Sequence, residues 1–432
     1  MAKKRIVIAG GGLAGLSAAW HLQKKGIECA LFEKETEVGG LCRSAHVKGF
    51  TFDHCGHLLH FKYRYTFELI KDMLGDNLLE HKKNAWIYSH KRFTRYPFQT
   101  NLYGLPKPVI KECLLGFIQA RRNGYPELRA GMTFLDWVNQ TFGRGIAEHF
   151  MVPYNRKFWT VEPEELTCHW FDGFIPVPTL KEVVESTLEE SKRSIGYNAR
   201  FWYPKKGGIQ EIPRYLASRI KGIHTSHEIS RIDFKDKKLI FRNGSRCPYG
   251  TLILTVPLPE LLELMYDLPR QVAEALKQLR YNSIYNLNLG VYNSETTDKH
   301  WIYFPEEAFV FFRAGFPGNF SSASCPKKSS SIYIEVAYGA SRQPEKNTLV
   351  ARVKKDLQRT GILQSQDTVL VENMNDIEYG YVIYDRHREM ALKRINAFLK
   401  KNGIECLGRY GAWSYKSMED VLIDGKRLAD SL

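Results

Sequence analysis

Near the N-terminus, the apolar positions follow the pattern of a buried strand, a turn and a helix. Residues 5–9, RIVIA, form an apolar run of strand length, and the glycine-rich segment GGGLAGLSAAWHLQKKG follows at once. Its apolar residues keep helical spacing up to Gly26, and a second apolar run, ECALFE, ends at Glu33. This order predicts a strand–turn–helix–strand unit of an α/β sheet.

Beyond this unit, helical and extended patterns alternate to the end of the chain. Residues 107–195 carry mainly helical spacing with a proline-containing break at 153–178, so an inserted helical region is predicted there. The other predicted elements are, in chain order, a helix at 64–74, strands at 85–88 and 91–96, a helix at 209–220, a strand at 227–234, a hairpin at 243–244, a strand at 251–256, and helices at 345–360 and 385–402.

A strict alternation of apolar and polar residues begins at residue 283. Alternate positions of IYNLNLGVY fall on one face of the predicted strand, namely Tyr285, Leu287, Leu289 and Val291. The run SIYIEVAYG at 331–339 behaves in the same way. Both runs predict half-buried strands of a substrate-binding sheet.

Length and composition are those of an ordinary globular protein. The chain has 432 residues, 44% of them hydrophobic and 25% charged, which favours two or three structural units and excludes disordered and fibrous classes. No stretch reaches the ~18 uninterrupted apolar residues of a membrane span. The first residues do not form a signal sequence, so a cytoplasmic location is predicted.

The charge balance and the cysteines limit which ligands, metals and partners are expected. Lysine and arginine outnumber aspartate and glutamate by 62 to 47, and the net charge of +15 favours anionic ligands. The cations are dispersed, so no nucleic-acid partner is expected, whereas contact with an anionic membrane surface stays open. The eight cysteines form no C-x-x-C pair, which argues against a disulfide framework and a zinc site, and no metal is expected.

The glycine-rich turn carries the first chemical motif. Gly10, Gly12 and Gly15 match G-x-G-x-x-G. Glycines are needed there because the chain must turn tightly, let its backbone approach a pyrophosphate and pack the helix against the sheet. Glu33, at the end of the second strand, can accept hydrogen bonds from ribose hydroxyls. The combination predicts a dinucleotide site.

The next segment, EKETEVGGLCRS, indicates which dinucleotide is bound. Its Gly39, Gly40 and Arg43 resemble the second glycine motif of FAD enzymes of the amine-oxidase and glutathione-reductase superfamily. The resemblance implies an α/β fold with a discontinuous Rossmann-like FAD-binding domain, an inserted helical region and an antiparallel substrate-binding sheet domain. The predicted boundaries are 1–75, 201–260 and 403–432 for the FAD-binding domain, 76–105 and 261–402 for the sheet domain, and 106–200 for the helical insertion.

Further stretches give a more specific resemblance. After the glycine motif they are, in chain order, FDHCGHLLHFKY, YPFQTNLYGLP, FMVPYNRKFWTVEPEELTCHW, NARFWYPKKGG, KHWIYFP with the following FFRAGF, and GRYGAWSY. Together they resemble the UDP-galactopyranose mutase family, and its eukaryotic-type branch more than the classical bacterial one. The matches extend over nearly the whole chain, from residue 5 to about residue 415.

The resemblance implies unusual flavin chemistry. Enzymes of this family need reduced FAD, which NAD(P)H or another donor supplies, although their reaction has no net redox change. The flavin N5 attacks the anomeric carbon of a nucleotide sugar, expels the nucleotide diphosphate and forms an N5–sugar adduct. Ring opening and reclosure then interconvert pyranose and furanose, for the biosynthesis of cell-surface polysaccharide.

The resemblance also implies roles for individual residues. It assigns catalytic roles to His57 and Arg313, further cofactor contacts to Gly56, Gly408 and Arg409, and substrate contacts to Asn155, Trp159, Asn198, Trp301, Tyr303, Arg313 and Tyr415. For His57 the implied role is coupling to the state of the flavin, not proton transfer. Without the motifs, a histidine such as His57 is more often structural than catalytic. Trp159 and Trp301 fit core packing as well as ligand contact.

Arg313 ends the mostly apolar stretch HWIYFPEEAFVFFRAGF. A guanidinium presents a planar fork of donors that matches phosphate oxygens, and it keeps its charge. A cation buried in such a strand is costly unless it meets a partner. The expected partner is the diphosphate of the ligand, not a residue of the chain.

Two departures from the family leave alternatives open. The family's second phosphate-binding arginine is absent from CHWFDGFIPVP, where Phe174 stands, and no clear counterpart of its tyrosine follows Tyr415. Candidates to replace the arginine are Arg156, Lys157, Lys205 and Lys206. The alternatives are that the substrate is another nucleotide sugar or another phosphorylated sugar, that the chain is an FAD-dependent oxidoreductase of amine-oxidase or protoporphyrinogen-oxidase type, or that it is a binding protein that has lost catalysis.

Overall fold

The computed structural model describes residues 5–122, 124–171, 175–190, 199–292, 297–339 and 343–432. Two positions named above, Phe174 and Asn198, lie outside these residues. The strands of the described residues are β1 Ile6–Ala9, β2 Cys29–Phe32, β3 Ser44–Val47, β4 Phe50–Asp53, β5 Leu78–Lys82, β6 Ala85–Ser89, β7 Arg92–Arg95, β8 Arg200–Pro204, β9 Ile223–His224, β10 Ile229–Asp233, β11 Lys238–Phe241, β12 Arg246–Pro248, β13 Thr251–Leu254, β14 Tyr281–Tyr292, β15 Trp301–Tyr303, β16 Arg313–Gly315, β17 Ser329–Tyr338, β18 Thr368–Val382 and β19 Ile404–Cys406.

The helices follow the predicted spacing closely, and the helix predicted at 64–74 has the same bounds in the structure. They are α1 Leu13–Lys24, α2 Arg64–Leu74, α3 Lys107–Arg121, α4 Phe134–Ile146, α5 Val152–Trp159, α6 Leu180–Leu188, α7 Glu211–Ala217, α8 Leu261–Leu264, α9 Arg270–Lys277, α10 Lys346–Arg359, α11 Arg388–Lys401, α12 Gly408–Gly411 and α13 Met418–Ser431. Among the described residues, no helix is both long and apolar enough to cross a membrane.

The N-terminal unit belongs to a parallel sheet that distant parts of the chain complete. Over the described residues its strand order is β19–β13–β1–β2–β9, and every pairing is parallel. β1 is buried at all four positions, as expected where helices cover both faces of a parallel sheet. Helix α1 packs between this sheet and α13 from the C-terminal end. The predicted α/β class with a discontinuous Rossmann-like unit is confirmed.

The predicted substrate-binding sheet is mixed rather than purely antiparallel. Its strand order in the described residues is β18–β14–β17–β16–β15–β6–β7. The pairing of β15 with β6 is parallel. β6 comes from a part of the chain more than 200 residues before β15. The other pairings are antiparallel.

β14 is buried on both faces, whereas its alternation predicted a half-buried strand. The apolar face packs into a core cluster as predicted. The opposite face carries Asn286 and Asn288, which are also inaccessible to solvent. They hydrogen-bond to each other and to Asn373 and Asn375 of β18. Buried amides are tolerated there because neighbouring amides satisfy them.

The helical region 107–188 packs around a core that it shares with residues of the seven-stranded sheet, among them Ile87, Ile284 and Ile377. Helices α3 and α4 approach so closely that a Cβ on Gly143 would lie 2.1 Å from the Gly116 carbonyl oxygen. Thr133 and Asp136 form a reciprocal capping box that fixes the start of α4. Through a π-helical turn, α4 continues into α5, which carries Asn155 and Trp159 to the interior. The division of the chain into the domains given above stays a prediction.

Candidate active site

The glycine turn between β1 and α1 leaves an open space next to the helix. Gly10 has a φ of +102°, and a Cβ on Gly15 would lie 2.0 Å from the Gly10 carbonyl oxygen, so both positions need glycine. At Gly12, the nearest atom to an added Cβ is the Gly40 Cα at 4.0 Å. No side chain caps the start of α1. The free amide groups of its first turn can therefore bind an anion in this space.

Glu33 closes one side of the glycine turn. Its carboxylate is buried and accepts hydrogen bonds from the backbone N–H of Gly11 at 2.6 Å and of Glu35 at 2.9 Å. Arg43 lies on the second glycine segment, where its Nε donates to the Gly40 carbonyl oxygen at 3.0 Å. The structure thus places Glu33 at the glycine turn, as the sequence predicted. Arg43 instead hydrogen-bonds to the backbone at Gly40. Contacts of either residue with a cofactor stay a prediction.

A cavity of about 310 Å³ lies between the seven-stranded sheet, α5 and the segments 54–60 and 409–418. The predicted residues that line it are Gly56, His57, Asn155, Trp159, Trp301, Tyr303, Arg313, Arg409 and Tyr415. The predicted residues outside its lining are Gly10, Gly12, Gly15, Glu33, Gly40, Arg43 and Gly408. The residues predicted to bind substrate, Asn198 apart, thus share one cavity, and the glycine turn lies apart from it.

Arg313 has a partner within the chain, which corrects the expectation that only a ligand would supply one. In the register of β16 and β17, Arg313 lies directly opposite Glu335, and its Nε donates to Glu335 Oε2. Tyr303 of β15 and Asn286 of β14 occupy the adjoining positions. Directly opposite residues of antiparallel strands point to the same face, so these four side chains form one polar row across the sheet.

The charges around Arg313 favour an anionic ligand. Burial lowers the pKa of Arg313, but the Glu335 carboxylate and the oxygens of Tyr381 and Tyr333 together outweigh burial and hold the pKa well above its usual value. Burial raises the pKa of the surrounding tyrosines, which are Tyr96, Tyr154, Tyr303, Tyr333 and Tyr381. Their hydroxyl groups stay protonated and can donate hydrogen bonds to phosphate or sugar oxygens.

Arg409 supplies a second buried cation. Its guanidinium carbon lies 4.8 Å from the ring centre of Tyr415 and 5.3 Å from that of Tyr381. Burial lowers the pKa of Arg409, but the oxygens of Tyr410, Tyr415 and Tyr381 outweigh this and raise it. Its Nε is buried and has no hydrogen-bond partner among the described residues. This atom is therefore available to an acceptor on a cofactor or substrate.

The four candidates for the missing second arginine do not line the cavity. Arg156 is paired with Glu162, and the buried Lys157 donates to the carbonyl oxygens of Phe304 and Glu306, at 2.9 and 2.7 Å. Lys205 and Lys206 also lie outside the lining. Within the described part of the chain, the lysine and arginine residues of the lining are Arg313, Arg409 and Lys416. Lys416 was not singled out from the sequence, although it directly follows Tyr415, and its ammonium is paired with Asp424.

His57 lies on the cavity wall as a neutral imidazole at neutral pH. Burial, reinforced by His54 and Arg409, lowers the pKa of His57 to about 4. A proton on His57 would stand close to two arginines in a dehydrated site. A neutral His57 imidazole is compatible with the predicted coupling to the cofactor. It argues against general-acid catalysis by His57 at neutral pH.

Gln99 and Trp159 are further wall residues with polar atoms that the described part of the chain does not satisfy. Gln99 is 1% exposed, and its nitrogen donates to the Pro176 carbonyl oxygen at 2.7 Å, whereas Oε1 has no partner there. Trp159 is fully buried and its indole N–H is likewise unpartnered. Sequence reasoning missed Gln99, although it lies in the quoted stretch YPFQTNLYGLP. Buried groups of this kind favour a polar ligand in the cavity.

Comparison with known proteins gives a family match and a whole-chain structural likeness. The profile of the flavin-containing amine oxidoreductase family matches residues 13–383. The fold is similar to that of a crystal structure of reduced UDP-galactopyranose mutase, with a TM-score of 0.93 and 27% identity, over 99% of this chain and 95% of the other.

Curated relatives cover the chain only in part. A zeta-carotene-forming phytoene desaturase of Myxococcus xanthus is 44% identical over 317 residues, which are 67% of this chain and 60% of that protein. Protoporphyrinogen oxidase 2 of Arabidopsis thaliana is 23% identical over 271 residues, which are 56% of this chain and 52% of that protein. The chain thus spans little more than half of the length of these two relatives.

Proposed function

The chain belongs to the family of flavin-containing amine oxidoreductases, and from this premise we propose that it is an FAD-dependent nucleotide-sugar mutase. The proposed reaction interconverts the pyranose and furanose forms of UDP-galactose or a related sugar nucleotide. The observation that carries the proposal is the likeness of the whole chain to reduced UDP-galactopyranose mutase. The cavity supports it, because two buried cations and protonated tyrosines suit a diphosphate and a sugar.

The residues present fit FAD, the cofactor that the family implies. The open space beside Gly12, at the uncapped start of α1, suits a pyrophosphate, and the buried carboxylate of Glu33 suits a ribose. Gly56 and His57, which line the cavity, would help to hold the flavin ring. Arg409, whose Nε has no hydrogen-bond partner among the described residues, would donate to an acceptor atom of the cofactor.

The chain contributes binding and charge stabilisation to the reaction. Reduced FAD supplies a nucleophilic nitrogen and is regenerated unchanged, so no electron acceptor is consumed. Arg313 binds the diphosphate and stabilises the negative charge that builds up when the bond to the sugar breaks. The tyrosine hydroxyls around it donate to the same oxygens. Because the side chain of Arg313 is only partly exposed, its attraction for the diphosphate is stronger than it would be in bulk water.

The aromatic walls of the cavity keep water away from the reacting sugar. Trp159, Phe158 and Tyr381 pack against one another on one side, with ring centres between 4.4 and 5.9 Å apart, and Trp159 lies edge to face against both other rings. Flat side chains of this kind bind the apolar faces of sugars and bases. Exclusion of water matters because a sugar detached from its diphosphate would otherwise be hydrolysed.

The proposal is tested with protein reduced by dithionite under nitrogen. The reduced protein is incubated with UDP-galactofuranose and a panel of related nucleotide furanoses, and the products are separated by chromatography. Formation of the corresponding pyranose is expected for at least one of them. Absence of any interconversion across the panel, by protein with its full content of flavin, would refute the proposal.

A second candidate is a flavin-dependent oxidoreductase, because the curated relatives include an oxidase and a desaturase. Such an enzyme would reduce its flavin with the substrate and pass the electrons to oxygen or another acceptor. Oxygen consumption that depends on an amine, porphyrinogen or polyene substrate would favour this candidate. The mutase, by contrast, needs prior reduction and consumes no acceptor.

A further inference from the structure

Glu335 is a buried carboxylate with partners on two different parts of the site. It is fully inaccessible to solvent in β17 and does not line the cavity. Its Oε2 accepts the hydrogen bond from Arg313 Nε, and its Oε1 accepts one from the backbone N–H of Gly56 at 3.2 Å. A buried charge is kept only where its partners offset the cost of desolvation. Glu335 therefore joins two elements that both need a fixed position.

The first of these elements is the turn that carries His57. Next to Gly56, the Cys55 N–H donates to Oδ1 of Asn286 at 3.0 Å, and Asn286 lies opposite Glu335 in the register of β14 and β17. Two successive amides of the turn are thus held by side chains of two neighbouring strands. The turn also lies against the sheet itself, because a Cβ on Gly56 would lie 2.4 Å from the hydroxyl of Tyr333.

The second element is the Arg313 guanidinium. Its five donors lie in one plane, so an anchored Nε defines the direction of the two terminal nitrogens. The hydrogen bond to Glu335 uses Nε and leaves those nitrogens for the cavity. An arginine held in this way loses little conformational freedom when it binds a diphosphate.

We propose that Glu335 is a positioning residue that sets the plane of the Arg313 guanidinium relative to the turn carrying His57. It acts by holding Arg313 Nε and the Gly56 amide with the two oxygens of one carboxylate. The inference rests on the proposed function, because it takes Arg313 as the residue that binds the diphosphate. Glu335 itself touches neither the substrate nor the cofactor.

The substitution Glu335→Gln separates orientation from charge. Glutamine has the same shape but only one acceptor oxygen, so either Arg313 Nε or the Gly56 amide loses its partner. The substitution also removes the negative charge beside Arg313, which by itself strengthens the attraction for an anion. A positioning role therefore predicts a large loss of kcat with little loss of affinity, whereas general damage to the site lowers both.

The test compares wild type with Glu335→Gln as flavin-loaded full-length protein. Dissociation constants are measured for UDP and for inorganic pyrophosphate, and turnover is measured with the furanose substrate. We expect kcat to fall about 100-fold, the loss typical of a misplaced catalytic group, while both dissociation constants stay within about threefold of wild type or become tighter. A kcat within about threefold of wild type, or a dissociation constant that rises in step with the loss of kcat, would overturn the inference.

A second variant keeps the test decisive if Glu335→Gln is too unstable for its turnover to be measured. The double variant Glu335→Gln/Arg313→Met removes both charges and keeps similar volumes. It is expected to have a higher melting temperature than Glu335→Gln alone, because the unpaired buried cation is gone. An equal or lower melting temperature would contradict the pairing on which the inference depends.

Failure of the proposed function would look different. Wild type would then bind pyrophosphate without binding or converting any nucleotide sugar. Under that outcome the pyrophosphate titration of Glu335→Gln and the melting temperatures still decide the role of Glu335. Weaker pyrophosphate binding by Glu335→Gln would count against it, and unchanged or tighter binding, with the double variant more stable than the single one, would support it.

Discussion

The guanidinium of Arg409 lies 4.8 Å from the centre of the Tyr415 ring, on the wall of the cavity that also contains Arg313. Each of the two arginines has a partner within the chain, Arg409 a pair of aromatic rings and Arg313 a carboxylate. Both cations are thereby held at the wall of the cavity. This arrangement gives the cavity two guanidinium groups even without a family-type arginine at position 174.

The role of Arg409 can be tested by Arg409→Lys. Lysine keeps the charge but loses the planar fork and the stacking on Tyr415. We expect the dissociation constant for UDP to rise about tenfold, in line with the ~1.5–3 kcal/mol of a charged hydrogen bond. The matched control is Arg394→Lys on the exposed face of α11, which should bind UDP as wild type does. Equal affinities of the two variants would remove Arg409 from the binding site.

Arg313→Ala should abolish turnover and destabilise the protein at the same time. The substitution removes the cation for the diphosphate and leaves Glu335 buried without its partner. Breaking a buried ion pair typically costs about 3–5 kcal/mol, so a lower melting temperature is expected in the flavin-loaded protein. Flavin absorbance per protein should stay near that of wild type. A variant that keeps its turnover would show that Arg313 does not serve the diphosphate.

Gly15→Ala should prevent flavin binding. The new Cβ would lie 2.0 Å from the carbonyl oxygen of Gly10, an overlap with backbone that no side-chain rotation relieves. Gly26→Ala is the control, since Gly26 has a φ of +73° but no atom within 4 Å of the added Cβ. It should cost only the ~1–2 kcal/mol of a left-handed alanine and keep its flavin. Absorbance at the flavin maximum checks both, and full flavin content in Gly15→Ala would contradict the geometry of the turn.

His57 should make the protein less stable in mild acid. Burial first, and the nearby charges second, lower its pKa from 6.5 to about 4 in the folded chain. Between these two values the unfolded chain binds a proton that the folded chain does not, so stability is full above pH 6.5 and falls as the pH drops toward 4. In His57→Gln, the fall in melting temperature between pH 7 and pH 5 should be smaller than in wild type.

The matched control for this prediction is His169→Gln. His169 is exposed, so its substitution should leave the difference between the two melting temperatures unchanged. If His57→Gln loses as much stability in acid as wild type, then His57 binds its proton as readily in the folded chain as in the unfolded chain.

The N-terminal strand–turn–helix unit could be predicted from local sequence alone. β1, the glycine turn and α1 follow each other within 20 residues, and Gly10 and Gly15 each have a steric reason that a pattern can express. The bounds of α2 could also be predicted, because the apolar spacing of an amphipathic helix lies within its own residues.

The partner of Arg313 could not be predicted in that way. Glu335 lies 22 positions further along the chain, and only the register of β16 against β17 brings the two together. Alternation along one strand tells which residues share a face, but it does not tell which strand lies next to it. The same limit hid Asn286 and its neighbours, whose amides are satisfied by β18 and the turn before His57.

The central claim is that the flavin acts without net redox change, and one measurement tests it most directly. Flavin absorbance and the two sugar nucleotides are followed together under nitrogen, in protein reduced by dithionite and freed of excess reductant, with UDP-galactofuranose as substrate. We expect many molecules of pyranose per flavin, a flavin that is still reduced at the end, and no conversion by the oxidised protein. Oxidation of the flavin in step with consumption of the sugar nucleotide, or activity of the oxidised protein alone, would contradict it.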